Sequence, residues 1–156
     1  MAKKDFASIT KNDVKKVIKS IEAELFATRE IAARVMTNRA INLLDESVKQ
    51  TPVDTGALRA SGFVRVNGKN VARGKKNKKE GKIRVFKKMP NMEKMSTKDD
   101  LAVEVGFDTP YAWDQHENMG YKHSKGCKAK YLEDPFRANK EDIEARIHTA
   151  IQQHIQ

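Results

Sequence analysis

The chain has 156 residues, 38% hydrophobic and 33% charged, with a single cysteine and a formal net charge of +10. A chain of that length fits one domain with a buried core; its composition is too apolar for a wholly disordered protein, and the lone Cys127 excludes an intrachain disulfide. No apolar run approaches the roughly 20 residues of a membrane span, and no hydrophobic signal region follows Met1-Ala2-Lys3-Lys4-Asp5, so a cytoplasm-like setting without a membrane partner is expected.

A polar tail, 1–9, precedes Thr10, which with Asp13 makes a helix start: a hydroxyl cap and an acid in the first turn. Val14, Val17, Ile18, Ile21 and Leu25 recur at spacings of three and four, and the pattern runs on through Ala32, Val35, Met36, Leu43, Leu44 and Val48. A helix over 10–51 would be about 60 Å long, more than the diameter of a compact domain this size. Its N-terminal half is therefore expected to project, to pack on a neighbouring subunit, or to break near Ala27 to Glu30. The spacing keeps no clean heptad over the whole length, so a sustained coiled coil is not expected.

The stretch Thr51 to Gly62, T-P-V-D-T-G-A-L-R-A-S-G, is a corner between helix and strands. Pro52 disfavours the α region for Thr51 and stops the helix. Asp54, Thr55 and Gly56 supply turn chemistry, Leu58 is the large apolar anchor, and Arg59 is close enough in sequence to pair with Asp54.

Phe63 to Val66 reads as a strand, Asn67-Gly68 as a hairpin turn and Val71 as the start of the return strand. Residues 69–88 hold ten Lys or Arg against one acid, Glu80, whereas the rest of the chain, with 21 basic and 20 acidic residues, is nearly neutral. Arg73 to Lys82 is expected to be an exposed loop or long hairpin tip. Ile83 to Phe86 forms a further strand, and 89–100 a flexible connection. Leu101, Val103, Val105 and Phe107 alternate with smaller or polar residues, a half-buried strand whose apolar face meets the long helix. Tyr111-Ala112-Trp113 opens a short segment ending at His116-Glu117, with the two aromatics expected in the core or at an interface. A basic loop, 120–130, leads to a last short strand over Ala129 to Leu132. Asp134-Pro135 is read as a helix start, cap then proline, with Phe136, Ile143, Ile147, Ile151 and Ile155 on one face. The fold class is α+β: a long N-terminal helix and a C-terminal helix packed on an antiparallel β-sheet with a long basic hairpin loop, all in a single domain.

Chemistry is hard to find. His116, His123 and Cys127 match no common zinc spacing, so no metal is expected. His116-Glu117 lacks an accompanying nucleophile motif, nothing in the spacing requires Asp54 and Glu117 to converge, and P-loop, dinucleotide and zinc-protease motifs are missing. No catalytic residue, cofactor or small-molecule substrate is expected. The basic segment can bind phosphates without sequence preference, with Arg73, Lys75, Lys76, Lys78, Lys79 and Lys82 as the contacts to DNA or an acidic partner. It lacks the interleaved aromatics that stack on bases.

Three stretches taken together resemble the neck and tail-completion family of tailed bacteriophages, also labelled minor capsid or tail-component proteins. They are the corner, with Pro52, Asp54, Thr55, Gly56, Leu58, Arg59 and Ser61; the run Pro110, Tyr111, Ala112 to Glu117; and Tyr131-Leu132 before Pro135-Phe136. The likeness covers most of 50–137 and departs from the family pattern at 69–100, which is longer and more basic, and at 118–128. It implies a non-enzymatic virion protein, made in the host bacterial cytoplasm, that forms a sixfold or twelvefold ring at the head–tail junction between adjacent connector and tail proteins. In that reading Pro52, Asp54, Thr55, Gly56 and Arg59 fix the corner, while Tyr111, Trp113, His116 and Glu117 lie beside it or at a subunit contact. The alternative is a basic, non-specific nucleic-acid-binding accessory protein.

Overall fold

A computed structural model describes residues 11–86 and 100–156. The tail 1–9, the Thr10 cap, Lys87, Lys88 and all but Asp100 of the 89–100 connection lie outside the described residues. Helix α1, Lys11–Gln50, is unbroken for 40 residues and contains neither Gly nor Pro, which removes the break considered at Ala27 to Glu30. Its buried face carries Thr37 and Ser47 as well as Ala33, Ala40, Leu44 and Val48. The hydroxyls of Thr37, Ser47 and Thr51 donate to the carbonyls of Ala33, Leu43 and Ser47 at 2.6, 2.7 and 2.8 Å. Each polar side chain thus satisfies itself on its own helix and can be buried without an outside partner.

After the short helix α2, Ala57–Ser61, come strands β1, Gly62–Val66; β2, Lys69–Gly74; β3, Ile83–Val85; and β4, Val103–Phe107. They form an antiparallel sheet in the order β3-β2-β1-β4. Asn67 (φ 45) and Gly68 (φ 77) both take positive φ, as the two-residue turn of a hairpin requires, and the return strand begins at once at Lys69. The pairing steps from Val64 opposite Ala72 to Arg65 opposite Asn70, leaving Val71 as an extra residue. This bulge lets Val71 and Ala72, neighbours in sequence, both be buried. Val64, Val66, Val71 and Ala72 pack with Ala40, Leu44 and Val48 of α1, and Val103, Val105 and Phe107 complete that core. The opposite face is polar: Arg65 stacks 3.8 Å above the Phe63 ring, and Arg65 and Arg73 converge on Asp108 at 3.6 and 2.8 Å.

Helix α3, Ala112–Glu117, leads by a loop to α4, Glu133–Ile155. The expected strand over Ala129 to Leu132 is instead a turn, with Lys130 in the left-handed region at φ 56. The helix also starts earlier than the Asp134-Pro135 signal: the Asp134 amide already donates to the Lys130 carbonyl at 3.0 Å, and the Asp134 side chain pairs with Lys128 at 2.5 Å instead of capping. Helix α4 runs antiparallel along α1, marked by Asn139 to Glu46 at 3.0 Å, Arg39 to Asp142 at 3.3 Å and His154 to Glu24 at 3.2 Å. Ile143, Ile147 and Ile151 are half-buried on this contact, while Phe136 and Ile155, expected on the same face, are exposed. Because α4 ends level with Glu24, the first turns of α1 extend beyond it. Among the described residues no helix is long and apolar enough to cross a membrane.

Candidate functional site

The corner is assembled by local chemistry. Helix α1 stops before Thr51 and Pro52, and Gly56 caps α2 from the left-handed region at φ 82, a conformation that costs an L side chain roughly 1–2 kcal/mol. The Thr55 hydroxyl accepts the Ala57 amide at 3.3 Å, and the Gly56 carbonyl accepts that of Ala60 at 3.1 Å. Leu58 points inward to Ala112 and Tyr131. Ser61 bonds the Leu58 carbonyl at 2.7 Å and meets Thr109, beyond β4, at 3.3 Å.

Arg59 does not pair with Asp54. Asp54 is exposed, whereas Arg59 is only 4% exposed and reaches the other way, under the basic hairpin. Its Nη1 donates to the carbonyls of Asn77 and Lys78, both at 3.3 Å, and its Nη2 to Cys127 Sγ at 3.8 Å; Nε has no partner. A buried guanidinium offers five donors in a fixed fork, which lets one side chain bond two successive carbonyls of the hairpin tip and the sulfur of a second loop. Close backbone contacts seat the same hairpin: a Cβ on Gly74 would lie 1.7 Å from the Arg59 carbonyl oxygen, and one on Gly81 would lie 2.5 Å from the Lys49 Cα.

The basic segment is therefore a hairpin with a fixed tip. The Lys75 amide donates to the Lys82 carbonyl at 2.8 Å, and Asn77 Oδ1 accepts the amides of Lys79 and Glu80 at 2.9 and 3.3 Å. Two of its six candidate contacts are neutralised within the chain: Arg73 is bidentate on Asp108 at 3.0 and 2.8 Å, and Lys82 pairs with Glu80 at 2.7 Å. That pair holds the Glu80 carboxyl below the usual range and raises Lys82, chiefly by their hydrogen bond. Lys75, Lys76, Lys78 and Lys79 are exposed and, among the described residues, in no ion pair.

On the other side of the corner Tyr111 and Gln115 join Pro52 to Leu58, Lys122 and His123 around an open depression of about 420 Å³. Ala112 is buried, and its carbonyl accepts the Tyr131 hydroxyl at 2.9 Å; burial pushes the Tyr131 phenol well above its usual range. Trp113 is 76% exposed, so it is not a core residue.

His116 and Glu117 turn away from the depression into a network centred on Lys130. The Lys130 ammonium bonds Glu117 and also reaches Glu133 at 2.9 Å, and its amide donates to the His116 carbonyl at 2.8 Å. His116 Nε2 accepts the Glu133 amide at 3.3 Å, which leaves Nδ1 to carry the proton donated to Glu117 at 2.7 Å. Hydrogen bonds from Lys130, and then from His116, hold the Glu117 carboxyl below the ordinary range; the Lys130 bond does the same for Glu133, and the two carboxylates raise Lys130. Ligand atoms of His116, Glu117 and Glu133 come within 4.8 Å of one another, but both ring nitrogens are engaged and the Lys130 ammonium already serves as the cation. Asn77, Asp108 and Lys130 were not among the residues singled out in sequence, and Cys127 was weighed there only as a disulfide partner or zinc ligand, although each fixes part of this region.

The molecule is thus an α+β protein whose corner clamps a basic hairpin tip. Compared with protein-family models, with curated proteins and with solved structures, the chain matches none.

Proposed function

We propose that the chain is a structural virion protein of a tailed bacteriophage, a neck, head–tail connector or tail-completion component that assembles as a ring around the DNA channel. One observation carries the reading. The three separate stretches that resemble the family meet in a single apolar cluster, with Leu58 from the corner, Ala112 from the Pro110-Tyr111-Ala112 run, and Tyr131. The protein acts by assembly, without catalytic chemistry or a cofactor. Its exposed Tyr111 and Trp113 are the surfaces offered to neighbouring subunits and to adjacent connector and tail proteins, through head-to-tail contacts that close by rotation. It is made in the bacterial cytoplasm and ends in the virion neck. Imaging of intact virions, with this protein labelled, tests the proposal: a sixfold or twelvefold layer at the head–tail junction is expected, and a neck without the protein refutes it.

A second reading, non-specific binding of nucleic acid by an accessory protein, draws on the four exposed lysines of the tip that are in no ion pair among the described residues. Replacing Lys75, Lys76, Lys78 and Lys79 by Gln separates the two. Ring assembly survives under the first reading. Under the second, DNA affinity collapses and the slope of log affinity against log salt falls by about 4 if all four meet phosphates.

A further inference from the structure

Beyond the end of α4, helix α1 carries an apolar stripe that nothing in its own chain covers among the described residues: Val14, Val17, Ile18, Ile21 and Leu25 are 48–62% exposed. Helix α4 cannot reach it, because α4 finishes beside Glu24, whose carboxylate lies 3.2 Å from His154 Nε2. Singly exposed aliphatic residues are ordinary; five at helical spacing on one face are a seam awaiting a partner.

The pattern of this seam says what fits it. Val14, Ile18, Ile21 and Leu25 follow at intervals of four, three and four, the core spacing of a two-helix coiled coil over this short segment. Lys15 and Glu22 flank the seam on the same side, both exposed and, among the described residues, in no ion pair. If a second α1 lies antiparallel, Val14 meets the partner's Leu25 and Ile18 meets the partner's Ile21. The same register sets Lys15 against the partner's Glu22 and, by the twofold axis, Glu22 against the partner's Lys15. A parallel pairing sets Glu22 against the partner's Val17 and loses both charge pairs. The antiparallel arrangement also places the two globular ends at opposite extremes, so they do not collide.

We infer that the projecting segment of α1 pairs antiparallel with the same segment of a second copy of this chain. The pairing is independent of the ring proposal: it describes the free protein, with one isologous contact.

The test is the oligomeric state of the full chain by sedimentation equilibrium at micromolar concentrations. A dimer is expected, and a monomer throughout that range overturns the inference. The Ile18→Glu, Ile21→Glu double variant must become monomeric with its circular dichroism unchanged. An oligomer that survives this change overturns the inference while leaving the ring proposal intact. Lys15→Glu turns two attractions into two repulsions and weakens dimerisation roughly tenfold; adding Glu22→Lys restores it. A double swap that fails to rescue rules out the antiparallel register.

Discussion

Arg59 and Asn77, eighteen positions apart, are joined by a hydrogen bond from Nη1 to the Asn77 carbonyl at 3.3 Å, and the same nitrogen also reaches the Lys78 carbonyl. This contact makes the corner and the basic tip one mechanical unit. A long lysine-rich loop is ordinarily solvated and mobile. Here the tip is anchored from beneath by a residue of α2, the short helix that follows the turn out of α1.

Removing the anchor should therefore be felt at the tip. Arg59→Ala strands two carbonyls under the hairpin and is expected to cost about 1.5–3 kcal/mol, the range for hydrogen bonds that involve charged groups. Denaturant unfolding gives the cost, and amide exchange at Lys79 and Glu80 reports the tip, which should lose protection. Arg59→Lys should recover only part of the loss, since an ammonium lacks the guanidinium fork. Unchanged exchange in the alanine variant would show that the tip does not depend on Arg59.

Gly74 makes a sharper test, because its added methyl has nowhere to go. Gly74→Ala places a Cβ within 1.7 Å of the Arg59 carbonyl, backbone against backbone, and should destabilise by more than about 3 kcal/mol or prevent folding. Gly68→Ala is the control: its Cβ meets open space, so the cost is only that of positive φ, about 1 kcal/mol. Thermal melts of the two variants should differ by many degrees.

The Lys130 network gives stability a defined pH dependence. Glu117 and Glu133 have folded values below the ordinary carboxylate range, so the unfolded chain takes up protons first as acid is added. Their contribution is complete above that range and is lost as pH falls through the lowered values. Lys130 is raised, so its contribution is present at neutral pH and lost only in strong alkali, above the ordinary lysine range. Melts taken from neutral to acid pH should show a decline that Glu117→Gln makes shallower. An identical acid limb in that variant would mean that this pair does not govern it.

The proposed assembly can be followed at Trp113, the chain's single tryptophan. At 76% exposure its emission should be that of solvated indole and be quenched readily by iodide. On assembly it should shift to the blue and lose access to the quencher. Trp113→Ala should leave stability within about 0.5 kcal/mol, as for a surface substitution, while weakening association as loss of a buried interface aromatic does.

What could be read in advance was what local rules decide. Pro52 ends α1, Asn67-Gly68 turns the first hairpin, and the alternation through Val103, Val105 and Phe107 sets the face that meets the helix. The misread elements were overruled from a distance. Ala129 to Leu132 has a strand-like pattern, yet Lys130 is bent to positive φ by bonds to His116, Glu117 and Glu133. The residues of the corner were legible individually, but the role of Arg59 was not. Its main partners are backbone carbonyls, which every residue possesses, so no side-chain pattern points to them. Asp54, the obvious charged partner, is exposed to water.

The unbroken length of α1 has one more consequence. The sheet and α4 hold this rod as far as Glu24, so only the stretch from Lys11 to Glu24, about 20 Å, stands clear of the body. A tilt of about 10° where α4 ends carries the Lys11 end through about 3 Å, by the geometry of that length. The corner itself is set by Thr51, Pro52 and the hairpin backbone at Gly81, which seats against Val48 and Lys49. The pivot for anything gripped by the far tip of α1 is therefore the end of α4, and the corner with its hairpin lies behind it, braced.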